Sequence, residues 1–261
     1  MLRFSANLSL LFTERPLAER FAAARAQGFR AVEIQFPYTL DIDTLSKLLR
    51  DNGQQLVLIN VPAGDLMEGG DGLACVPGRE HAFREAVTQA IDYASALNVP
   101  TVNILAGRKP EGRHEDECEA VLLDNLAHAA ARLHGAGITP VLEAINLFDM
   151  PRFLVHSLEH MRRYAHTVPH LRMQFDCYHM SRMGDDVLAD LHDNIAAIGH
   201  IQFADNPGRH EPGTGRIDYR AIFSYLRNAP YQGWCGAEYR PSRDTADTLG
   251  WWHTWGDGQP T

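Results

Sequence analysis

The sequence has few cysteines, and none of them is paired at a metal-binding or redox spacing. Its 261 residues contain four, Cys75, Cys118, Cys177 and Cys235, with no CxxC pair. This excludes a zinc ribbon and a thioredoxin-like redox motif, and it provides no disulfide framework. We therefore expect reduced thiols and a cytoplasmic location.

Long apolar stretches and an excess of basic charge are also missing. No run approaches the roughly 18 apolar residues of a membrane span, and polar residues interrupt the N-terminal MLRFSANLSLLF, so no signal-peptide core forms there. Lys and Arg number 24 against 33 Asp and Glu, which gives a formal net charge of −9. We expect neither a membrane nor a nucleic-acid partner, because phosphate backbones are bound by clustered positive charge.

Nucleotide-binding and hydrolase motifs are absent as well. The residues after the first strand candidate, Leu8 to Glu14, contain no glycine, which argues against a dinucleotide-binding open sheet. The chain has no GxSxG elbow, no GxxxxGK[ST] loop and no HExxH helix. Serine hydrolases of the elbow type, P-loop enzymes and HExxH zinc proteases are therefore excluded.

What the sequence does have is a regular alternation of short β-branched runs and amphipathic segments. Eight strand candidates are present: Arg3–Asn7, Ala31–Gln35, Gln55–Val61, Thr101–Leu105, Thr139–Glu143, Leu171–Asp176, His200–Phe203 and Trp234–Glu238. Apolar residues recur at helical spacing between them, in segments such as Leu17–Gln27, Leu45–Asp51, Phe83–Leu97 and Val121–His134. Eight such units close a (β/α)₈ barrel. We predict a single α/β TIM-barrel domain over residues 1–261, with a doubly wound open sheet as the alternative.

The C-terminal residues 250–261 break this alternation. The segment reads GWWHTWGDGQPT. We expect an irregular tail that packs over an outer edge of the barrel or against a neighbouring subunit. If Trp251 and Trp252 are exposed, they favour a homo-oligomer.

Acidic and amide residues stand at the ends of the last four strand candidates: Glu143, Asp176, Gln202 and Glu238. In a TIM barrel the carboxyl ends of the strands form one functional face, so these side chains would converge. Burying three carboxylates together is unfavourable unless a cation neutralises them. Oxygen ligands favour a hard divalent ion such as Mg²⁺ or Mn²⁺. The alternative is that each acid caps the helix after its strand.

Further candidate site residues lie near these strand ends. His179 follows Asp176 by three residues and would be a metal ligand, a partner of the ligands or a substrate contact. Arg209, in the loop 204–215, is a candidate for bidentate contact with a substrate carboxylate. The alternatives are a histidine satisfied in the core and a purely structural loop. Three asparagines near other strand ends would line the pocket or cap a turn: Asn7, Asn60 and Asn103.

Several longer segments resemble the hydroxypyruvate isomerases of the xylose-isomerase-like TIM barrels. The resemblance runs almost end to end. It rests on the segments Arg3–Ser9, Asn60–Asp65, Pro77–Glu80, Glu143–Asn146, Asp176–Met180, Ala204–Gly215 and Gly236–Tyr239.

The resemblance implies an isomerase with a divalent metal bound by the four strand-end residues Glu143, Asp176, Gln202 and Glu238. Glu143 and Glu238 would also be the acid–base pair that moves a proton between C3 and C2 through an enediolate. The reaction would interconvert hydroxypyruvate and tartronate semialdehyde. Arg209 and His179 would bind the carboxylate and a hydroxyl oxygen of this small-molecule substrate.

The segment after the loop departs from the family pattern. Similar proteins usually read GEINY, whereas this chain reads GRIDY over residues 215–219, so Arg216 replaces an acid near the expected site entrance. This leaves the size and charge of the preferred substrate open. The closest alternative is a 2-oxo-tetronate isomerase, whose substrate is one carbon longer.

Three other functions are weaker alternatives. A metal-dependent ketose 3-epimerase usually has a histidine where Gln202 stands. An AP-endonuclease-like repair enzyme needs a histidine-rich zinc cluster and a basic groove, and the acidic balance of the chain argues against it. A non-catalytic sugar-acid binding protein gives no reason for two glutamates to converge on a metal.

Overall fold

A computed structural model describes residues 2–256, and they form a closed barrel of eight parallel strands. The order of strands around the barrel is their order in the chain, and the last strand pairs with the first. The strands are β1 (Arg3–Asn7), β2 (Ala31–Glu33), β3 (Gln55–Asn60), β4 (Thr101–Ile104), β5 (Thr139–Glu143), β6 (Arg172–Asp176), β7 (Ile198–Phe203) and β8 (Trp234–Ala237). The predicted TIM barrel is confirmed, and the open-sheet alternative is wrong.

Helices connect successive strands and surround the barrel. They are α1 (Leu17–Ala26), α2 (Ile42–Asn52), α3 (Glu80–Leu97), α4 (Glu115–Gly135), α5 (Leu158–Thr167), α6 (Cys177–Met183), α7 (Val187–Asn194), α8 (Tyr219–Asn228) and α9 (Gly250–Trp255), with short 3₁₀ turns at Pro37–Thr39, Leu66–Glu68 and Thr245–Thr248. The four helical segments predicted from apolar spacing correspond to α1–α4. Helix α2 begins earlier than predicted because the Asp41 side chain accepts a hydrogen bond from the Thr44 backbone N–H and caps it.

Alternate residues of β1 serve the two sides of the barrel wall. Phe4 packs against Trp251 in the outer layer, with ring centroids 5.4 Å apart. Ser5 and Asn7 instead donate hydrogen bonds to Glu33 within the barrel. Because side chains alternate along a strand, each strand contributes both to the apolar outer layer and to a polar interior.

The segment after β8 completes the outer layer. Trp251 and Trp252 are 6% and 5% exposed, and Trp252 stacks on Phe29 with centroids 4.5 Å apart. The expected packing over an outer edge is therefore seen, but residues 250–255 are helical and not irregular. Residues 257–261 lie outside the described residues. Since both tryptophans are buried, they give no support to a homo-oligomer.

All four cysteines are free and buried. Burial raises the pKa of Cys75 to about 12 and raises that of Cys177 well above its ordinary value. These thiols are thus poorly suited to nucleophilic catalysis. Within residues 2–256, no helix combines the length and apolarity required to cross a membrane.

Candidate active site

The four strand-end residues predicted as ligands lie together inside the C-terminal mouth of the barrel. Glu143 and Asp176 end β5 and β6, Gln202 lies in β7, and Glu238 directly follows β8. All four are at most 4% exposed. Asp176 and Gln202 are register partners on adjacent strands. Gln174 links the group, because its Nε2 donates to Glu143 Oε2 at 3.0 Å and to Gln202 Oε1 at 2.7 Å.

The two oxygens of Asp176 have different surroundings. Its Oδ1 accepts hydrogen bonds from the backbone N–H groups of Tyr178 at 2.7 Å and His179 at 3.3 Å, which caps α6. Its Oδ2 is buried and has no hydrogen-bond partner. A buried carboxylate oxygen without a donor is unfavourable unless a cation lies beside it. The helix cap therefore explains the position of Oδ1 but not that of the buried Oδ2.

The acidic groups raise one another's pKa. Burial raises the pKa of Glu143 well above its ordinary value, and the charges of Glu238 and Asp176 add to this effect. Burial likewise raises the pKa of Glu238 to about 8, with Arg209 opposing the shift and Asp176 adding to it. Burial also raises the pKa of Asp176. A divalent cation among them would favour the ionised form of all three.

The donor atoms fit such a cation. Ligand atoms of Glu143 and Asp176 lie within 4.8 Å of each other, in a group that includes His179 and does not include Glu238. Gln202 directs its Nε2 toward Glu238 Oε2, at 2.5 Å, so its carbonyl oxygen is turned away from that carboxylate. Carboxylate and amide oxygens are the ligands that Mg²⁺ and Mn²⁺ prefer. The residues present are thus compatible with the predicted metal centre.

His179 has the protonation pattern of a hydrogen-bond donor toward the acids. Its Nδ1 lies 2.7 Å from Asn146 Nδ2 and accepts from the Asn146 backbone N–H at 3.4 Å, so the ring hydrogen belongs on Nε2. Nε2 lies 3.8 Å from oxygens of Glu143 and Asp176. Burial, with Arg209, lowers the pKa of His179 well below its ordinary value. A neutral ring protonated on Nε2 fits a substrate contact better than a metal ligand.

Arg209 reaches the acids from the loop after β7. Its Nη2 lies 2.7 Å from Glu238 Oε1 and 3.9 Å from Asp176 Oδ2, and its side chain is 15% exposed. The guanidinium also lies over the ring of Tyr178, 5.2 Å from its centroid. The Nε of Arg209 is buried without a partner. This arginine therefore has a donor available for a further anionic group.

Asp205 holds this loop in place. Its Oδ2 accepts hydrogen bonds from the backbone N–H groups of Gly213 and Gly215, each at 2.8 Å. A β-carbon at Gly215 would lie only 2.4 Å from the Asn206 carbonyl oxygen, so this close approach requires glycine. The glycines of the loop thus have the structural role expected, and they present Arg209 to the site.

Glu143, Glu238, His179 and Arg209 border a cavity of about 250 Å³, whereas Asp176 and Gln202 lie behind its lining. Sequence reasoning missed several of the residues that line it, including Gln35, Arg108, Asp149, Gln174 and Arg240. Gln35 and Arg240 follow the ends of β2 and β8, so extending the strand-end argument to every strand and its next residues would have found them. Arg216 is exposed and lies outside this lining.

The three asparagines near other strand ends all belong to the site. Asn7 Nδ2 donates to Glu238 Oε2 at 2.7 Å, and Asn103 Nδ2 donates to Glu143 Oε2 at 2.9 Å. Asn60 lines the cavity. Asn7 also has the turn role considered for it, because its Oδ1 accepts from the Ser9 backbone N–H at 3.0 Å.

Comparison with known proteins agrees with this architecture. The family model described as a xylose isomerase-like TIM barrel matches residues 21–255. The chain belongs to this family. Hydroxypyruvate isomerase from Escherichia coli K12 is 43% identical over 253 residues, which cover 96% of this chain and 98% of that protein. The 2-oxo-tetronate isomerase of Cupriavidus necator is 40% identical over 253 residues, covering 96% and 97%. The family predicted from the sequence motifs is confirmed.

A solved structure shows the same fold in detail. A Brucella melitensis protein described as an AP endonuclease, family 2, superposes with a TM-score of 0.94 at 36% identity, over 98% of this chain and 100% of that one. The 3-keto-D-glucoside 4-epimerase YcjR of E. coli superposes with a TM-score of 0.82 at 22% identity, and this likeness shows the fold alone.

Proposed function

We propose that this family member is an isomerase that interconverts hydroxypyruvate and tartronate semialdehyde. The observation that carries the proposal is the convergence of Glu143 and Glu238 on one cavity, both buried and both with a raised pKa. Two buried carboxyl groups at one cavity suit a reaction that removes a proton and returns one. The named activity of the E. coli relative supports this choice.

The proposed centre is Mg²⁺ or Mn²⁺, held by Glu143, Asp176, Gln202 and Glu238. When bound, a divalent ion would neutralise these acids and stabilise the negative charge that develops on substrate oxygens. The orphaned Oδ2 of Asp176 and the acid-rich surroundings support this assignment.

Proton transfer is the work of the two glutamates. From hydroxypyruvate, one takes a proton from C3 and the other delivers a proton to C2, while the hydroxyl proton passes from the C3 oxygen to the C2 oxygen. In the reverse direction the acid and base roles of the two glutamates exchange. The substrate passes through an enediolate between these steps. Glu143 and Glu238 are 4% and 3% exposed, so little bulk water competes for the transferred proton.

Substrate binding falls to Arg209 and His179 in this proposal. Arg209 binds the carboxylate, because its buried Nε lacks a partner and its guanidinium already faces the acids. His179 donates its Nε2 hydrogen to a substrate oxygen. The cavity of about 250 Å³ also has room for a four-carbon acid, which makes 2-oxo-tetronate the alternative substrate.

The test is an isomerase assay on protein stripped with chelator and resupplied with Mg²⁺ or Mn²⁺, with hydroxypyruvate and 2-oxo-tetronate compared side by side. Product formation and solvent deuterium incorporation are followed by NMR. We expect metal-restored turnover that favours hydroxypyruvate. Faster turnover of 2-oxo-tetronate would make it the preferred substrate in place of hydroxypyruvate. If the protein still binds metal but turns over neither acid, the proposed function is wrong.

DNA cleavage is the second candidate, because the Brucella structure is described as an AP endonuclease. The acidic net charge and the histidine-poor cluster argue against it: in the described part of the chain, the candidate ligands form one group, Glu143, Asp176 and His179. We expect no cleavage of an abasic-site duplex at low salt with Zn²⁺ or Mn²⁺. Metal-dependent cleavage would favour the endonuclease.

A cytoplasmic location is part of the proposal and is supported by the four free, buried cysteines. Self-association also stays a proposal. The buried C-terminal tryptophans do not support it, and of the exposed apolar side chains Met67 lines the cavity and Phe148 lies under the Arg182 guanidinium. Light scattering of the eluted protein measures its mass in solution.

A further inference from the structure

Another buried carboxylate, Glu33, lies within the barrel next to the proposed metal ligands. It is the last residue of β2 and is fully buried. Its Oε1 accepts a hydrogen bond from Ser5 Oγ at 2.6 Å and lies 2.8 Å from His200 Nε2. Neither the acid–base pair nor the proposed ligand set includes this group.

The other oxygen of Glu33 faces the amide groups that also hold Glu238. Gln202 Nε2 donates to Glu33 Oε2 at 3.0 Å and to Glu238 Oε2 at 2.5 Å. Asn7 Nδ2 donates to the same two oxygens, at 3.4 Å and 2.7 Å. Two side-chain amides therefore bridge the Oε2 atoms of two buried carboxylates.

This bridging fixes the orientation of Gln202. A carboxamide has two N–H donors, and both are directed at carboxylates. Its oxygen must then point to the opposite side, where Oε1 accepts from Gln174 Nε2 at 2.7 Å. The same Gln174 nitrogen donates to Glu143 Oε2, so Gln202 Oε1 lies on the Glu143 side of its amide. Only the oxygen of an amide is a suitable ligand for a hard cation.

The space for Glu33 exists because residue 236 is a glycine. Gly236 is the register partner of both Ser5 and Gln202. A β-carbon at this position would lie 2.1 Å from Glu33 Oε1, which is far inside a van der Waals contact. The barrel interior is therefore shaped around this carboxylate.

We propose that Glu33 is a positioning residue that helps to turn the Gln202 amide oxygen toward the metal ion, by accepting one of the two amide N–H groups while Glu238 accepts the other. This inference rests on the proposed function, since it requires that Gln202 be a ligand. Glu33 itself would touch neither metal nor substrate.

The first test is Glu33→Gln, with Mn²⁺ affinity measured in the absence of substrate from the EPR signal of free Mn²⁺. The new amide can present its own nitrogen to Gln202, which then loses one of the two carboxylates that accept its N–H groups and is held less firmly with its oxygen toward the metal. We expect Mn²⁺ to bind roughly 10- to 100-fold more weakly, as for other residues that support metal ligands. Thermal unfolding of the metal-free variant shows whether the substitution leaves the protein folded.

Glu211→Gln is the matched control. Glu211 is also a buried glutamate, at 7% exposure, and it also accepts from a serine, because Ser242 Oγ lies 2.5 Å from its Oε1. It has no hydrogen bond to a proposed ligand among those that the structure describes. We expect its Mn²⁺ affinity to match that of the unaltered protein.

The second test exchanges the two groups, with Glu33→Gln and Gln202→Glu together. The carboxylate then stands at position 202 and an amide at position 33 can donate to it, so we expect most of the lost affinity to return. Gln202→Glu alone should weaken Mn²⁺ binding, because it brings a third carboxylate against Glu33 and Glu238 and leaves Asn7 as the amide that bridges them. If the new carboxylate acted only as an additional anionic ligand, Mn²⁺ binding would become stronger. The direction of the change in Mn²⁺ affinity is therefore informative even if Glu33→Gln does not fold.

The outcomes separate this inference from the proposed function. If the unaltered protein binds no Mn²⁺, the proposed metal centre is wrong and this inference falls with it. If it binds Mn²⁺ and Glu33→Gln binds equally well, only the positioning role is wrong. Weak binding by Glu33→Gln that the exchange does not restore would also overturn the role, because Glu33 would then matter only to the fold.

Discussion

Asp176 shows how one side chain serves both the fold and the site. One oxygen caps α6 through two backbone N–H groups, and the other is buried without a donor. The cap fixes the carboxylate rigidly, and this rigidity holds the free oxygen in place. The helix-cap interpretation is confirmed for Asp176, and its role as a metal ligand stays a proposal that its unpaired oxygen supports.

Glu143→Gln and Glu238→Gln each remove a group that the proposed mechanism uses for proton transfer. We expect each to lower kcat by at least about 100-fold, the lower end for acid–base groups. The measurement is steady-state turnover at saturating Mn²⁺, with Mn²⁺ binding assayed separately to show how much metal each variant retains. The exposed Glu111→Gln serves as the control. Near-normal turnover by either site variant would contradict the assignment.

Gly236→Ala tests how tightly the interior is built around Glu33. The added carbon would lie 2.1 Å from a carboxylate oxygen of Glu33, so either the side chain or the strand must move. We expect the free energy of unfolding to fall by about 1–3 kcal/mol, the usual effect of overpacking. Urea unfolding measures it.

Gly135→Ala is the comparison for that experiment. Gly135 ends α4, and a β-carbon there would meet nothing within 4 Å. Alanine is favoured over glycine in helices, so we expect unchanged or slightly higher stability. Equal losses in both variants would show that the crowding at Gly236 is not the cause.

At the scale of elements, α9 takes the position of the outer helix after β8. Trp251 lies between aromatic side chains of three other elements, with ring centroids 5.4 Å from Phe4, 4.9 Å from Phe203 and 6.5 Å from Phe223. In the sequence pattern, β8 was the last strand candidate, and no helix was predicted after it. A six-residue helix is too short to show a clear apolar period, which is why this segment was expected to be irregular.

Trp251→Ala should therefore act as a core truncation. We expect a loss of about 3–5 kcal/mol in the free energy of unfolding, as for other buried aromatic residues replaced by alanine. Trp255→Ala is the control, because Trp255 is only half-buried and should cost less. Guanidinium unfolding compares the two. If Trp255→Ala costs as much as Trp251→Ala, the buried cluster is not what attaches α9.

The strand predictions were accurate except at some ends. Strand β2 stops at Glu33 and not at Gln35, since the Gln35 backbone N–H donates to Ser9 Oγ at 2.9 Å and not to a neighbouring strand. Strand β7 starts two residues earlier than His200, at Ile198. Gly199 interrupts the apolar pattern, which is why the sequence did not indicate this earlier start. The structure explains the glycine, because a β-carbon at position 199 would lie 2.8 Å from Val141 Cγ1 and 3.1 Å from Arg172 Cβ.

At the scale of the whole molecule, the buried acids link stability to pH and metal. The pKa of Glu238 is raised from 4.5 to about 8 by burial and neighbouring charges. Between pH 4.5 and about 8, the folded metal-free protein holds a proton on Glu238 that the unfolded chain has lost. The free energy of unfolding of the metal-free protein therefore falls as the pH rises through this range. Metal binding displaces that proton, so stabilisation by metal should grow over the same range.

The measurement is the difference in Tm between the Mn²⁺-loaded protein and the metal-free protein, at pH 6 and at pH 8. We expect the larger difference at pH 8. In Glu238→Gln, which lacks the titrating group, the difference should depend less on pH. A metal effect of equal size at both pH values would contradict the link between these acids and the ion.

The sequence by itself determined the barrel and the identities of the strand-end residues. Strand and helix periods are local, and in a parallel barrel every strand ends at the same face, so residues at or beside the ends of β5–β8 had to meet. Only the tertiary structure decided which atom of each side chain faces which partner. Glu33 and Gln202 are 169 positions apart, and their hydrogen bond depends on the closure of the barrel and on the space left by Gly236. No local pattern encodes such a contact, because it is set by distances between strands that are remote in the chain.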